Sequence, residues 1–411
     1  MYDNIRIIKI IKSNGVQLEV DWNLDLQNRK ISRSQIDYTS FLKLFDLKKK
    51  FQNSDIKEQN LLLLSETGEY YYCNNCIFGF SIDLLDMNVH IYCDSIDYII
   101  KNSKEKYEDI RTKEIQVQFE VPKFIQHNYI SNNIEFYYRS SKKVIFKKKY
   151  YDNKCVLYLS IKSSFKVSLS ILDKILYEIY EILMLYLGTG LKIISRIIVS
   201  ENYKMEYYSS IADKYGYEDK TSLRSSNIVM IDSNTLNKNV LKTYEDIVKK
   251  TYILKDVYFA ITNKKNYKEI KIAMILQAIE GIYRCLYESK TEKLDYYEII
   301  EKIFIEDRTC KLVLSQSDRR KINTVNNDKK EIFLYKSLNH RNYFSHLNEN
   351  KRKIIFSGKE LNYAYWKIVL IFRIYFIKQL GVICNKNLLK DIITDINTFK
   401  KNHKIRLTIK K

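Results

Sequence analysis

Residues 270–287 read IKIAMILQAIEGIYRCLY, with Ile272, Ile275, Leu276, Ile279, Ile282, Tyr283 and Leu286 recurring at intervals of three and four. That interval gathers them on one stripe of an α-helix, so the segment predicts a helix with one buried face. Further helices are expected over Tyr296 to Phe304, Lys329 to Leu338 and Lys386 to Phe399. Another opens at Ser357-Gly358-Lys359-Glu360, a capping-box spelling in which Ser357 caps the first turn and Glu360 reaches back. It should run to Leu380, with Gly381 as terminator.

Before about Thr235 the period changes from 3.6 to two. NIRIIKIIK and VQLEVDW flank Asn14-Gly15, the dipeptide that suits a tight hairpin turn. Alternating runs rich in Tyr, Val and Ile follow at Ile115 to Phe119, Ile134 to Tyr138, Val144 to Phe146 and Val156 to Ile161. One amphipathic helix, Ser168 to Tyr186 with Gly188 behind it, interrupts them before LKIISRIIVSE and NYKMEYYSS resume the strand pattern. The expected class is α+β: a strand-rich domain over residues 1–235, then an all-helical bundle over 236–411.

At 411 residues, 45% hydrophobic and 13% aromatic, the chain can bury proper cores, which excludes global disorder. Its 70 basic and 49 acidic residues leave a formal charge of +21. Two readings fit: affinity for a polyanion, nucleic acid above all, or the lysine surplus of an AT-rich genome, which also explains one Pro and nine Gly. The most apolar helix is interrupted by Arg373 and is too short for a bilayer, so no membrane span is expected. The amino terminus lacks the pattern of a cleaved signal, and seven cysteines without a regular framework suit a reducing compartment. A cytoplasmic location follows as the expectation.

The chemistry-bearing stretch is Arg341-Asn342-Tyr343-Phe344-Ser345-His346. A histidine can take the proton of a ribose 2′-OH or give one to the leaving oxygen. An arginine can neutralise the charge that builds on a pentacoordinate phosphate. In a helix Asn342 and His346 share a face, the amide placed to orient the imidazole, whereas Arg341 lies about 140° round from His346. One copy supplies one acid–base group, so a composite site between two chains is expected. The alternative is an ordinary solvated helix end. His340, next to Arg341, is expected to be incidental. The helix beyond Gly358 carries Leu361, Tyr365, Ile368, Val369, Phe372 and Phe376, more apolar surface than one bundle face needs. It marks either an oligomer contact or a face covered by the amino-terminal domain.

Arg341-Asn342 with His346, late in a helical bundle, resembles the signature of HEPN-domain proteins. Leu276-Gln277-Ala278-Ile279-Glu280, with Tyr283-Arg284 following, is similar to the version in ApeA-type abortive-infection proteins, where the bundle follows a strand-rich domain. The resemblance covers roughly Thr235 to Lys411 by motif and the rest by architecture. It implies a metal-independent endoribonuclease, using no catalytic cofactor, that leaves a 2′,3′-cyclic phosphate and acts in anti-phage defence. RNA, with tRNA among the candidates, is then the substrate, a phage-derived signal the trigger, and a homodimer or larger homo-oligomer the active form. Arg341 and His346 carry catalysis, Asn342 supports them, and Glu280 positions Arg341. Some HEPN proteins have a tyrosine two residues after the histidine; here the residue is Asn348, which puts any step needing that hydroxyl in doubt. Competing functions are a non-catalytic RNA-binding or sensor HEPN protein, and a DNA-binding regulator, disfavoured for want of a helix-turn-helix pattern.

A second constellation is Cys73-x2-Cys76 and His90-x2-Cys93, with thirteen residues between the pairs. Two pairs of equal internal spacing match a closed tetrahedral zinc site of structural type. The competing reading makes the cysteines small apolar fillers of aromatic strands.

Overall fold

The computed structural model describes residues 4–12, 17–26, 30–33, 59–83, 88–95, 98–101, 110–139, 141–151, 154–199, 204–209, 227–251, 267–288, 294–324, 328–346 and 354–408. Its strand-rich part begins as expected. β1 (Asn4–Lys12) and β2 (Gln17–Asp25) pair antiparallel, with Ile11 opposite Gln17. The Asn14-Gly15 turn itself lies outside the described residues. With β3 (Lys30–Arg33), β4 (Gln59–Ser65), β5 (Tyr70–Asp83) and β6 (Asn88–Ser95) the pairings close on themselves in the order β1-β2-β3-β6-β5-β4 and back to β1. Closure leaves the ring no free edge. The cross-strand pairs Leu24–Ile31, Leu63–Tyr71 and Leu61–Cys73 are all buried and give the ring its own interior.

From β5 the sheet continues through β7 (Tyr98–Lys101) to the outer strands: β8 (Arg111–Glu120), β9 (Asn133–Tyr138), β10 (Lys142–Tyr151), β11 (Lys154–Ser168), β12 (Lys192–Val199) and β13 (Lys204–Ser209). Their spatial order is β7-β13-β12-β8-β11-β10-β9. Alternation does the sorting. Ile115, Val117 and Phe119 of β8 and Leu157, Leu159 and Ile161 of β11 are buried, while intervening residues such as Gln116, Gln118 and Tyr158 are less so. They face helix α1 (Leu169–Leu187), where Phe119 stacks on Tyr180 at 5.4 Å.

α1 is apolar nearly all round, and both sides are used. One side meets the sheet; the other meets the helices α2 (Lys238–Thr251) and α7 (Lys359–Gln379). Gly188 ends α1 in the left-handed conformation, φ +76°, its N–H bonding the Met184 carbonyl at 2.7 Å. The next carbonyls are capped from far away in sequence. Arg373 of α7 is buried and donates from Nε to the Leu185 oxygen (2.8 Å) and from Nη2 to that of Tyr186 (2.9 Å). A cation at a helix C-terminus also meets the negative end of the helix dipole. The break at about residue 235 is therefore a change of element type within one continuous core.

The remaining helices are α3 (Lys268–Tyr287), α4 (Tyr296–Glu301), α5 (Arg308–Val313), α6 (Ile332–His346) and α8 (Lys386–Asn402). Three expectations need correction, and one open alternative is decided. Lys329–Glu331 is a strand (β15) paired with Lys321–Asn323 (β14), so the helix placed at Lys329 begins at Ile332 and runs on to His346. The helix of Tyr296–Phe304 turns into a π-helical segment after Glu301. The capping box at Ser357 does not form: Gly358 is the N-cap, with no side-chain cap bond, and Glu360 instead accepts from the buried Lys336 ammonium at 2.6 Å. A true capping box stands at Asp295 and Glu298. Finally, the apolar surplus of α7 is spent inside the chain, since Leu361, Ile368, Phe372 and Phe376 are buried and Tyr365 and Val369 pack against the same core. It gives no argument for an oligomer.

Asp318 organises this half. Its fully buried carboxylate accepts from Ser315 N and Oγ (2.8 and 2.7 Å), Tyr363 Oη (2.7 Å), Lys367 Nζ (2.9 Å) and Lys400 Nζ (2.8 Å). Its backbone oxygen bonds Phe333 N in the first turn of α6. Among the described residues no helix is long and apolar enough to cross a membrane.

Candidate functional site

Three helices bring the site together. Arg341 projects from α6, Glu280 from α3 and Tyr296 from the first turn of α4. Arg341 Nη2 donates to Glu280 Oε2 at 2.9 Å, and Nη1 donates to Asn342 Oδ1 at 3.1 Å. The guanidinium lies 4.9 Å from the centre of the Tyr296 ring. The ion pair is mostly shielded, with side-chain exposures of 21% and 14%. A charge-assisted bond in such surroundings fixes direction as well as contributing energy.

Glu280 is shared. Its Oε1 accepts from both Nε and Nη2 of Arg284, each at 3.0 Å, and Arg284 also pairs with Glu288. Two guanidiniums and two carboxylates thus form a chain across α3 and α6. A second tie between those helices runs from Gln277 Nε2 to Ser345 Oγ at 2.6 Å. Two polar atoms at the centre have no hydrogen-bond partner among the described residues: Arg341 Nε and the Tyr296 hydroxyl. Burial pushes the Tyr296 phenol well above its ordinary range, so it stays protonated.

Glu280, Arg341 and Asn342 are brought together, although Glu280 and Arg341 are 61 positions apart in the chain. His346 is the last residue of α6, one turn beyond Asn342; its side chain, and Asn348, lie outside the described residues. His340 is a core residue. It is buried, bonds the Glu269 carbonyl through Nε2 at 2.9 Å, and packs against Phe344 and Phe356 at 4.8 and 5.7 Å. Burial pushes its pKa down to about 4, so it is neutral at pH 7. Sequence reasoning missed Tyr296 as the floor under Arg341, because no spacing rule links the two.

The Cys/His cluster is not gathered by the strand register. Cys73 and Cys76 sit on β5, paired with Leu61 and Gln59; His90 and Cys93 sit on β6, paired with Ser81 and Phe78. Cys73 and Ser81 are eight residues apart in one strand, about 26 Å at ~3.3 Å per residue, and His90 is opposite Ser81. The strand register therefore lends no support of its own to a single four-ligand zinc site, which stays an expectation of the spacing. Cys73 is buried in the ring interior, as a small apolar filler would be. The side chains of Cys76, His90 and Cys93 lie outside the described residues.

No family profile, curated protein or solved structure matches the chain.

Proposed function

We propose that this chain is a metal-independent endoribonuclease of the HEPN type that acts on RNA in anti-phage defence. The observation that supports the reading most is the 2.9 Å ion pair between Glu280 and Arg341, because it joins the two short motifs on which the resemblance rests. On this reading Arg341 neutralises the charge on the pentacoordinate phosphorane, with Glu280 and Asn342 setting the direction of its Nη groups. His346 moves the proton. As base it takes the 2′-OH proton while O2′ attacks phosphorus; as acid it protonates the departing O5′. The products are a 2′,3′-cyclic phosphate and a 5′-hydroxyl, and no metal is needed. One chain offers one His346, so two chains sharing a site supply base and acid together. A cytoplasmic protein is the natural setting for such chemistry.

The test is cleavage of a mixed RNA pool in EDTA. Wild type should cut, and Arg341→Ala and His346→Ala should each lose activity by about three orders of magnitude or more while keeping the fold. Mixing the two inactive chains should restore part of the rate if the site is shared. A His346→Ala protein cutting at the wild-type rate would sink the assignment. A wild-type protein that binds RNA tightly but never cuts it would turn the reading to a non-catalytic RNA-binding or sensor protein.

A further inference from the structure

The C-terminal end of α8 and the tail behind it form an open concavity of about 570 Å³, lined by Asn397, Lys400, Lys401, Lys404, Ile405 and Arg406. Four of these six side chains are cationic and none is acidic. Lys400 is fixed: its ammonium reaches Asp318 Oδ1 (2.8 Å) and Ser317 Oγ (2.7 Å). Lys401, Lys404 and Arg406 are exposed and have no ion pair among the described residues. Cations in the last turn of a helix commonly answer the helix dipole, which accounts for Lys400 and Lys401. It does not account for Lys404 and Arg406, which lie beyond the helix.

The backbone holds those two in place. Lys404 adopts a left-handed conformation, φ +50°, in a turn closed by its own N–H to the Lys401 oxygen (3.1 Å) and by Ile405 N to the Lys400 oxygen (3.0 Å). A lysine there costs about 1 kcal/mol relative to glycine. Ile405 and Leu407 are then buried, which turns Arg406 between them outward. The tail is pinned by Arg320 Nη2 to the Leu407 oxygen (3.2 Å) and by Lys336 Nζ to that of Thr408 (2.8 Å). Three unneutralised cations are thus converged on one hollow by a fixed scaffold, against their mutual repulsion. Convergence of like charge in a concavity is the physical signature of an anion site.

We propose that this hollow binds consecutive phosphates of an RNA backbone, separately from the Arg341 site. Among the described residues no aromatic side chain lines it, so it offers no stacking platform there, and its contacts would position the strand without reading sequence. The inference rests on RNA being the partner, as proposed above, but its readout is binding and not cleavage. The experiment measures fluorescence anisotropy of an end-labelled single-stranded RNA of about 20 nucleotides. Full-length Arg341→Ala protein serves as the parent, so that the probe is not consumed. Into it go Lys401→Gln, Lys404→Asn and Arg406→Gln, asparagine being chosen because it tolerates the left-handed backbone.

The triple variant should bind at least about tenfold more weakly at ~0.1 M salt, and its slope of log Kd against log salt should fall by about two, as expected for three lost phosphate contacts. Single-stranded DNA of the same sequence should lose the same factor. Lys401→Arg with Arg406→Lys, which keeps the charges, should bind like the parent. Unchanged affinity and slope would overturn the proposal, and so would a loss confined to RNA. Because the substituted side chains are exposed, the melting temperature should hold, so weaker binding does not report misfolding. If the wild type cuts RNA and the triple variant still binds like its parent, this site fails while the ribonuclease reading stands. If nothing is cut but the slope falls as expected, the reverse holds.

Discussion

Replacing Asp318 by Asn keeps the shape of the side chain and removes one charge from the centre of the helical half. Lys367 is then left as an ammonium with no exposed surface, and Lys400 loses the partner that fixes it beside the basic hollow. Removing one member of a buried ion pair typically costs about 3–5 kcal/mol, because the remaining charge stays desolvated and unpaired. For 411 residues at ~2.1 cal/mol/K each, the unfolding entropy is about 0.9 kcal/mol/K, so the melting temperature should fall by about 3–6 °C. Differential scanning calorimetry at pH 7 measures it. Replacing both fully buried partners by apolar groups, Asp318→Leu with Lys367→Met, should recover part of the loss, since the ammonium with no exposed surface is gone while Lys400, Tyr363 and Ser315 still lose their acceptor. The carboxyl of Asp318 is desolvated, yet the two ammoniums and their hydrogen bonds hold it at about 2, below its unfolded value of ~3.9. Its contribution is therefore fully present above pH ~4 and lost as the pH falls through 2. A single Asp318→Asn variant melting within about 1 °C of wild type would show that the pair contributes no net stability and would refute this reasoning.

Gly188→Ala should lower the melting temperature by about 2–4 °C. It places an L-residue at φ +76° and a methyl within 2.9 Å of the Arg373 guanidinium, which must then leave the α1 carbonyls. An unchanged melt would remove Arg373 as the cap of α1. His340 is held at about 4 by burial, below the ordinary value of ~6.5. Stability should thus decline as the pH falls from about 6.5 towards 4, and His340→Phe should flatten that limb of a pH–Tm curve; an identical limb in the variant would place its origin elsewhere. On the β5–β6 register, elemental analysis of protein prepared without chelator should show no stoichiometric zinc, and Cys76→Ser should melt like wild type. One zinc per chain, lost with Cys76→Ser, would overturn the β5–β6 register.

Local periodicity carried much of the architecture into the sequence. Ile115, Val117 and Phe119 announce a half-buried strand, and Ile272, Ile275, Leu276 and Ile279 a helix, because side-chain direction follows backbone period with no help from the rest of the chain. Gly188 and Gly381 mark helix ends for the same reason, each taking a positive φ that glycine adopts without strain. The motif residues Glu280, Arg341 and Asn342 were legible as residue types at fixed spacing. Tertiary structure decided which side chains met. Ser357 and Glu360 spell a cap, yet Lys336 takes the Glu360 carboxylate. Arg373 reads as an interruption of an apolar helix, and in the fold it caps another helix 187 positions away. The surplus of α7 is covered by its own chain, and two evenly spaced Cys/His pairs are drawn out along neighbouring strands. Asp318 gathers Lys367 and Lys400 from 49 and 82 residues off. Spacing along the chain fixes only what lies within a few turns; partners for a buried charge come from whichever elements pack there, and that is settled by the fold as a whole.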